Sequence, residues 1–334
     1  MAAVLTLPRT PFLSRSMSTP NAKPSATVIW VVSDGRRGIE NQALGLAEAV
    51  ADRLETPCRI ERVVIRKGGF VALPAASRPA LWIGCGRAAV ALARKHRQIF
   101  PETYFVYVQD PRGRHNQFDL IIAPDHDRLA RSNAVSMIGS PNRISRAKLE
   151  EGRAQFAARI DALSAPRAAV LIGGASKRYT VTPAIADYLE QRLDDLLARD
   201  ISLMVTVSRR TPDAVRDRLA ARFAGHDRVW FFDGEGENPY FAFLAAADWI
   251  FVTEESTNML LEAGSTGAPV YVLPMAGDPG KFARLHAALE GRDITRPYLG
   301  RLERWTYTPL DETGRMADIL LQRWQGARTL EETA

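Results

Sequence analysis

The chain is poor in cysteine, histidine and lysine, and each shortage narrows what it can do. Two cysteines in 334 residues, Cys58 and Cys85, build neither a disulfide framework nor a thiolate metal cluster, which suits a reducing compartment. Cys85 lies in Ile83-Gly-Cys-Gly-Arg87, where a small side chain fits a tight turn. Five scattered histidines show no zinc-ligand spacing, so no metal site is expected. No apolar run reaches the ~20 residues that cross a bilayer, so a cytoplasmic protein is expected. A Gly-x-Ser-x-Gly elbow is missing, which removes the α/β-hydrolase class. Only six of the 44 basic residues are lysines, so Lys177 in a glycine loop stands out.

The formal charge of +6 is less informative than it looks. Arg9, Arg15 and Lys23 supply half of it within residues 1–26, a stretch with no acid. The remainder is too small to argue for nucleic acid. Residues 1–26 have the Ser-, Pro-, Thr- and Arg-rich composition of a mitochondrial transit peptide. A disordered tail, or a true start at Met17, explains the same composition.

What the chain does have is one device used twice. A hydrophobic run over 28–32 ends in Ser33-Asp-Gly-Arg-Arg-Gly38 and is followed by an apolar-periodic helix over 41–54. A second run over 168–172 ends in Gly173-Gly-Ala-Ser-Lys177, followed by a helix over 183–197. Strand, glycine turn and helix start together offer N–H groups and a positive dipole end to a phosphate. Further strands are expected at 59–65, 81–83, 104–108 and 120–123 in the first half. The second half adds 201–207, 229–232, 249–252 and 270–273. Helices are expected at 88–97, 148–162, 212–223, 240–247, 258–265, 282–290 and 312–324. This alternation predicts two doubly wound α/β units, Rossmann-like, facing a cleft. Their expected limits are 27–164 and 165–310, with residues 311–334 as a C-terminal helix and tail that returns to the first unit.

In such sheets the ligand sits beyond the carboxyl ends of the strands, so the chemistry is sought there. Gly173-Gly-Ala-Ser-Lys177 is not a P-loop, but its glycines, Ser176 and Lys177 suit a diphosphate. In Thr253-Glu-Glu-Ser-Thr-Asn258, any of Ser256, Thr257 or Asn258 can open a helix whose N–H groups face a phosphate. Glu262 lies one turn beyond Asn258, where a carboxylate can accept from two ribose hydroxyls. Asp125-His-Asp127 follows a strand and a proline and reads as a cap. Lys281, Arg284 and His286 either reach the cleft near a donor diphosphate or form a solvated face.

Two resemblances bear on these residues. Glu262-Ala-Gly-Ser-Thr-Gly-Ala-Pro269 with Val270-Tyr-Val-Leu-Pro274 resembles the nucleotide-sugar motif of GT-B glycosyltransferases, above all the enzyme that adds N-acetylglucosamine to the peptidoglycan precursor. Leu81-Trp-Ile-Gly-Cys-Gly86 and Val106-Tyr-Val-Gln-Asp110 resemble segments of that enzyme's N-terminal domain. The likeness implies that Glu262 holds the donor ribose and that Gly173, Gly174, Ser176 and Lys177 open the donor domain. The chain after its tail also resembles the mitochondrial-fission, "elongated mitochondria" family. The carrying segments are Ser33-Asp-Gly-Arg-Arg-Gly-Ile-Glu-Asn-Gln42, Asp119-Leu-Ile-Ile-Ala-Pro-Asp-His-Asp127, Ile172-Gly-Gly174 and Val252-Thr-Glu-Glu-Ser-Thr-Asn258. That family implies a GT-B-like fold without a fixed reaction.

The first loop departs from the transferase pattern, having no counterpart of its histidine. Asp34, Glu40 or Asp110 is then the candidate base on an acceptor hydroxyl. Arg36 and Arg37 are candidates for an acceptor phosphate, with Asn41, Gln42 and Gln109 beside them. Glu254 joins the donor set with Ser256, Thr257 and Asn258. The expected activity is metal-independent transfer from a nucleotide-diphosphate sugar, with no cofactor, to an acceptor that includes lipid-linked forms, which would bring the protein to a membrane surface. A nucleotide-sugar epimerase or hydrolase is the nearest alternative. A catalytically silent member acting through protein partners is the other.

Overall fold

The computed structural model describes residues 26–66 and 78–332. The expected tail 1–26 thus lies almost wholly outside the described residues. The first unit runs β1 (Thr27–Ser33), α1 (Arg37–Ala51), β2 (Cys58–Val64), β3 (Leu81–Cys85), α2 (Arg87–Ile99), β4 (Tyr104–Val108), β5 (Leu120–Pro124) and β6 (Ala134–Met137). Its six strands lie in the order β2-β1-β3-β4-β5-β6, all parallel. Two short helices, α3 (Arg146–Gln155) and α4 (Ala157–Asp161), cross to the second unit.

The second unit runs β7 (Arg167–Ile172), β8 (Tyr179–Thr180), α5 (Pro183–Leu197), β9 (Ser202–Val207), α6 (Asp213–Phe223), β10 (Val229–Phe232), α7 (Tyr240–Ala246) and β11 (Trp249–Thr253). It continues with α8 (Thr257–Gly264), β12 (Val270–Leu273), β13 (Ala276–Gly277), α9 (Ala283–Glu290) and β14 (Thr295–Pro297), before α10 (Glu312–Glu332) closes the chain. The second sheet has the order β10-β9-β7-β11-β12-β14, again parallel, and β8 with β13 makes a separate antiparallel ribbon.

The inner strands read as nearly unbroken apolar runs because both faces of each sheet are covered. Along β1, Ile29 and Val31 pack with Leu46 and Val50 of α1 and with Met316, Leu320 and Trp324 of α10. Trp30 and Val32 point the other way, into a layer with Trp82, Phe105 and Ala93. Alternate residues of β7 divide likewise, Val170 and Ile172 toward α5 and α6, Ala169 and Leu171 toward α7, α8 and α9. Among the described residues no helix is long and apolar enough to cross a membrane.

Two expectations need correction. The helix expected over 148–162 is broken at Phe156, whose ring packs 5.6 Å from Trp230. Beyond the break, Ile160 and Leu163 enter the core of the second unit. Strands β6 and β14 were absent from the expectation, since Ala134-Val-Ser-Met137 and Thr295-Arg-Pro297 are short edge strands with little apolar character.

Candidate functional site

Strand order reverses beside β1 in the first sheet and beside β7 in the second. These switch points lie between β1 and β3, and between β7 and β11, where crevices open in such sheets. The loops that the sequence singles out converge there: residues 33–37 and 85–87 on one side, 173–177 and 253–258 on the other.

The glycine loop of the second unit is held from beneath. Gly173 N–H donates to Thr253 Oγ1 at 2.7 Å, and Gly174 N–H donates to Glu255 Oε1 at 2.6 Å. Thr211 Oγ1 donates to Gly173 O at 2.5 Å, and Ala175 N–H donates to Arg210 O. Ser176 Oγ accepts from the Arg178 and Tyr179 N–H groups. The expectation that the Gly173 and Gly174 N–H groups meet a phosphate is therefore corrected: they bind β11 and the residue that follows Glu254. The glycines are required for approach. A Cβ on Gly173 would lie 1.7 Å from Glu255 Oε1, and one on Gly174 would lie 2.1 Å from the Arg210 backbone.

Glu254 and Glu255 have separate tasks. Glu254 accepts from the Tyr179 hydroxyl and from Met275 N–H, tying β8 and β13 to the end of β11. Glu255 is 8% exposed, and its Oε2 has no partner among the described residues. Burial raises its pKa against the hydrogen bonds from Thr253 and the loop N–H groups and the charge of Arg210.

The helix starts differ in how they are capped. Ser145 caps α3 and Thr182 caps α5 with their side chains, whereas α1, α2 and α8 have no side-chain cap. The N–H groups of Thr257, Asn258 and Met259 have no hydrogen-bond partner among the described residues, and the first turn of α8 has no acid. Across the cleft α1 starts at Arg37, and a methyl on Gly38 would stand 3.6 Å from Asn258 Nδ2. Two positive helix ends therefore face each other. Ser140 Oγ donates to Asn258 Oδ1 at 3.3 Å and bridges the units beside them.

Glu262 lines a narrow space with Gly38, Asn41, Gln42, Asn142 and Asn258 that holds about 20 Å³. Its Oε2 accepts from the Tyr240 hydroxyl at 2.5 Å, and burial pushes its carboxyl up to about 7 against that hydrogen bond. The space takes little more than one water, so a ribose at Glu262 requires the units to part.

The acceptor-side residues are sorted by their partners. Glu40 accepts from Arg62 with both oxygens, at 3.0 and 2.6 Å, and is 5% exposed. That engagement removes it as a free base. Burial works to raise Asp34, but the hydrogen bonds and charge of Arg36 prevail and hold it below the usual carboxylate range. Asp110 is placed differently: His115 Nε2 lies 3.1 Å from its Oδ1, which also accepts from Arg112 N–H. Gln109 Nε2 donates to Gln42 Oε1 at 2.9 Å, and the Cys85 thiol donates to the same oxygen at 3.6 Å. Gln109 adopts a left-handed backbone, φ +93°, a strained state that marks sites where geometry is imposed. Arg37 and Lys177 are exposed.

Lys281 and Arg284 turn away from the donor loops. Lys281 pairs with Asp127, Arg284 pairs with Asp125 at 2.7 Å, and Phe282 meets the His126 ring at 4.9 Å. These contacts clasp the two units at one end of the cleft. His286 Nε2 is buried without a partner among the described residues, and burial lowers the pKa of the ring. No group of three His, Cys, Asp or Glu suited to a metal occurs among the described residues.

Sequence reasoning missed Glu255, His115, Tyr240 and the Arg210-Thr211 turn. Glu255 stood inside a motif already singled out, but which of two adjacent glutamates points inward depends on the turn after β11. His115 reaches the site from a connection with no periodic signal, and Tyr240 from the first position of α7, where the helix pattern gives no hint of a partner in α8.

Two doubly wound parallel sheets with facing carboxyl ends define a GT-B-like protein. The UDP-GlcNAc 2-epimerase from Neisseria meningitidis bound to UDP-GlcNAc has this fold, with 11% identity over 90% of this chain and 100% of that chain and a TM-score of 0.51. The sequence profile described as "Mitochondrial fission ELM1" matches residues 37–324, and the chain belongs to that family. It is 29% identical over 266 residues to the Mitochondrial fission protein ELM1 of Arabidopsis thaliana, covering 72% of this chain and 62% of that relative's length. It is also 26% identical to the uncharacterized protein RP120 of Rickettsia prowazekii, over 87% of this chain and 97% of the other.

Proposed function

We propose that this chain is a GT-B-type glycosyltransferase that uses a nucleotide-diphosphate sugar without a metal. The observation that carries this reading is the pair of uncapped helix starts, α1 and α8, facing each other across the cleft. Two positive dipole ends in apposition repel unless an anion lies between them, and each end contributes about 0.3–1 kcal/mol toward such an anion. In this reading the donor diphosphate lies on the first turn of α8, with Lys177 and Arg210 adding charge. The ribose lies on Glu262 once the units open. The same N–H groups stabilise charge on the departing nucleotide, the large electrostatic contribution in such reactions. Asp110, oriented by His115, takes the acceptor proton. Asp34 and Glu40 position Arg36 and Arg62.

Thermal shift of the full chain with UDP, GDP, ADP, dTDP and their common sugars tests the reading. A nucleotide that raises Tm in the native protein and fails to do so in Glu262→Ala supports the donor site. Stabilisation by none of them sinks it. The epimerase reading is the second one, since the Neisseria structure with the same fold is an epimerase bound to UDP-GlcNAc. Turnover of the sugar nucleotide with no acceptor present favours it over transfer. Tight nucleotide binding with no turnover under either condition favours a silent, partner-binding member.

A further inference from the structure

The surplus charge of this protein is unevenly shared. Residues 27–164 hold 21 Lys and Arg against 14 Asp and Glu, whereas residues 165–310 hold 17 against 19. Within the first unit the surplus lies on one edge. Arg36 and Arg37 follow β1, Arg66 follows β2 and Arg87 follows β3. Arg112 and Arg114 follow β4, and Arg128 follows β5. All these strands are parallel, so these seven arginines stand on the loops that leave the carboxyl edge, along about 20 Å at the usual strand spacing.

All seven are exposed, and only Arg36 has an ion-pair partner among the described residues. Other arginines of the unit are mostly matched, Arg53 with Asp318, Arg59 with Glu61, Arg62 with Glu40, Arg97 with Asp119 and Arg143 with Glu48, while Arg78 and Arg94 have no ion pair among the described residues. The four aspartates of the edge loops are engaged already. Asp34 is held by Arg36, Asp110 by His115 and the Arg112 N–H, Asp125 by Arg284 and Asp127 by Lys281. Two of the arginines, Arg112 and Arg128, hold left-handed backbones with φ of +52° and +53°. With Gln109 they are three of the five such non-glycine residues among those described, and the other two are aspartates, which tolerate that conformation. The uncapped start of α2 at Gly86 lies on the same edge.

We infer that this edge binds the phosphate group of an anionic, phosphate-bearing acceptor. The inference rests on the donor–acceptor reading above for the word acceptor, while the anion follows from the edge itself. Unpaired guanidinium groups along a broad edge suit phosphate oxygens, which accept from two N–H groups of one arginine. A lipid headgroup and a soluble phosphate ester share that chemistry.

The test titrates the full chain with glycerol 3-phosphate. In parallel it uses phosphatidylcholine vesicles with and without phosphatidic acid. The variants are R87E/R114E/R128E, the same three changed to lysine, and the control R94E/K95E in the middle of α2. Binding should fall about a hundredfold in the glutamate triple variant, since each basic residue near an anionic surface counts separately. The lysine triple variant should keep most of it, and the control should match the native protein. Binding to the acidic vesicles alone identifies a lipid headgroup, and binding to both probes identifies the phosphate itself. Failure of the native chain to bind either probe, or equal loss in the control, overturns the inference. UDP-induced stabilisation, measured on the same proteins, should persist in the glutamate triple variant. Its absence from the native chain would sink the donor reading and leave the edge standing.

Discussion

The carboxyl edges of the two sheets share one topology and are furnished in opposite ways. The first edge presents exposed arginines on loops, two with left-handed backbone and most without an acid. The second is knit together: glycines admit Glu255 and the Arg210 backbone, and the loop N–H groups donate to Thr253 and to buried Glu255. One edge is built to attract and the other to hold shape. A switch point therefore provides a location for a ligand, and the loops decide how tightly that location is organised.

Glycine substitutions should expose this contrast most strongly. In Gly174→Ala the new Cβ meets the Arg210 backbone, which cannot rotate away, so we expect a loss of about 3 kcal/mol in denaturant unfolding. Gly35→Ala on the other edge meets only Val64 Cγ1 at 3.0 Å with φ of +74°, and should lose about 1 kcal/mol, mostly from the backbone. Equal losses would break the comparison.

Next in size is a pH effect. Glu262 has a folded pKa of about 7, raised from 4.5 by burial. Its unfolded form ionises first, so the contribution to stability is present below 4.5 and is lost as pH rises toward 7. Glu262→Gln should gain about 1–2 kcal/mol at pH 8 and nothing at pH 4, read from urea midpoints at both values. A variant that gains equally at the two pH values would show that the carboxyl is not the source.

A smaller effect tests the helix start. Asn258→Asp places an acid in the first turn of α8 and should add about 0.5 kcal/mol by complementing the dipole. The same change should weaken nucleotide stabilisation. If nucleotides raise Tm as much in this variant as in the native chain, the diphosphate lies elsewhere.

The clasp gives the smallest change. Arg284 and Asp125 are each about half exposed, so Arg284→Ala should alter stability by less than about 0.5 kcal/mol. Its readout is the shape in solution: scattering should show an expanded particle if the clasp holds the units together, and no change if the α1–α8 contact suffices.

Much of the fold was legible because parallel strands buried on both faces must be continuous apolar runs. The segments around Ile29, Val106, Ile121, Val170 and Ile250 all satisfy that rule. Short edge strands such as β6 and β14 were not legible, since one side of each has no neighbour. The site was legible as loops but not as roles. Glu40 and Asp34 look like free carboxylates in sequence, yet partners 22 and 2 residues away engage them. Glu254 and Glu255 cannot be told apart by spacing, and only the turn after β11 sends one toward Tyr179 and the other beneath Gly174.

By itself, the sequence determined the two repeated units, the glycine positions and the arginine surplus, because periodicity, small size and charge are properties of residues read in order. Only the tertiary structure decided which N–H groups are free, where α3 and α4 pack, and that α1 and α8 meet start to start. Those outcomes depend on pairs far apart in the chain, and no local propensity contains them.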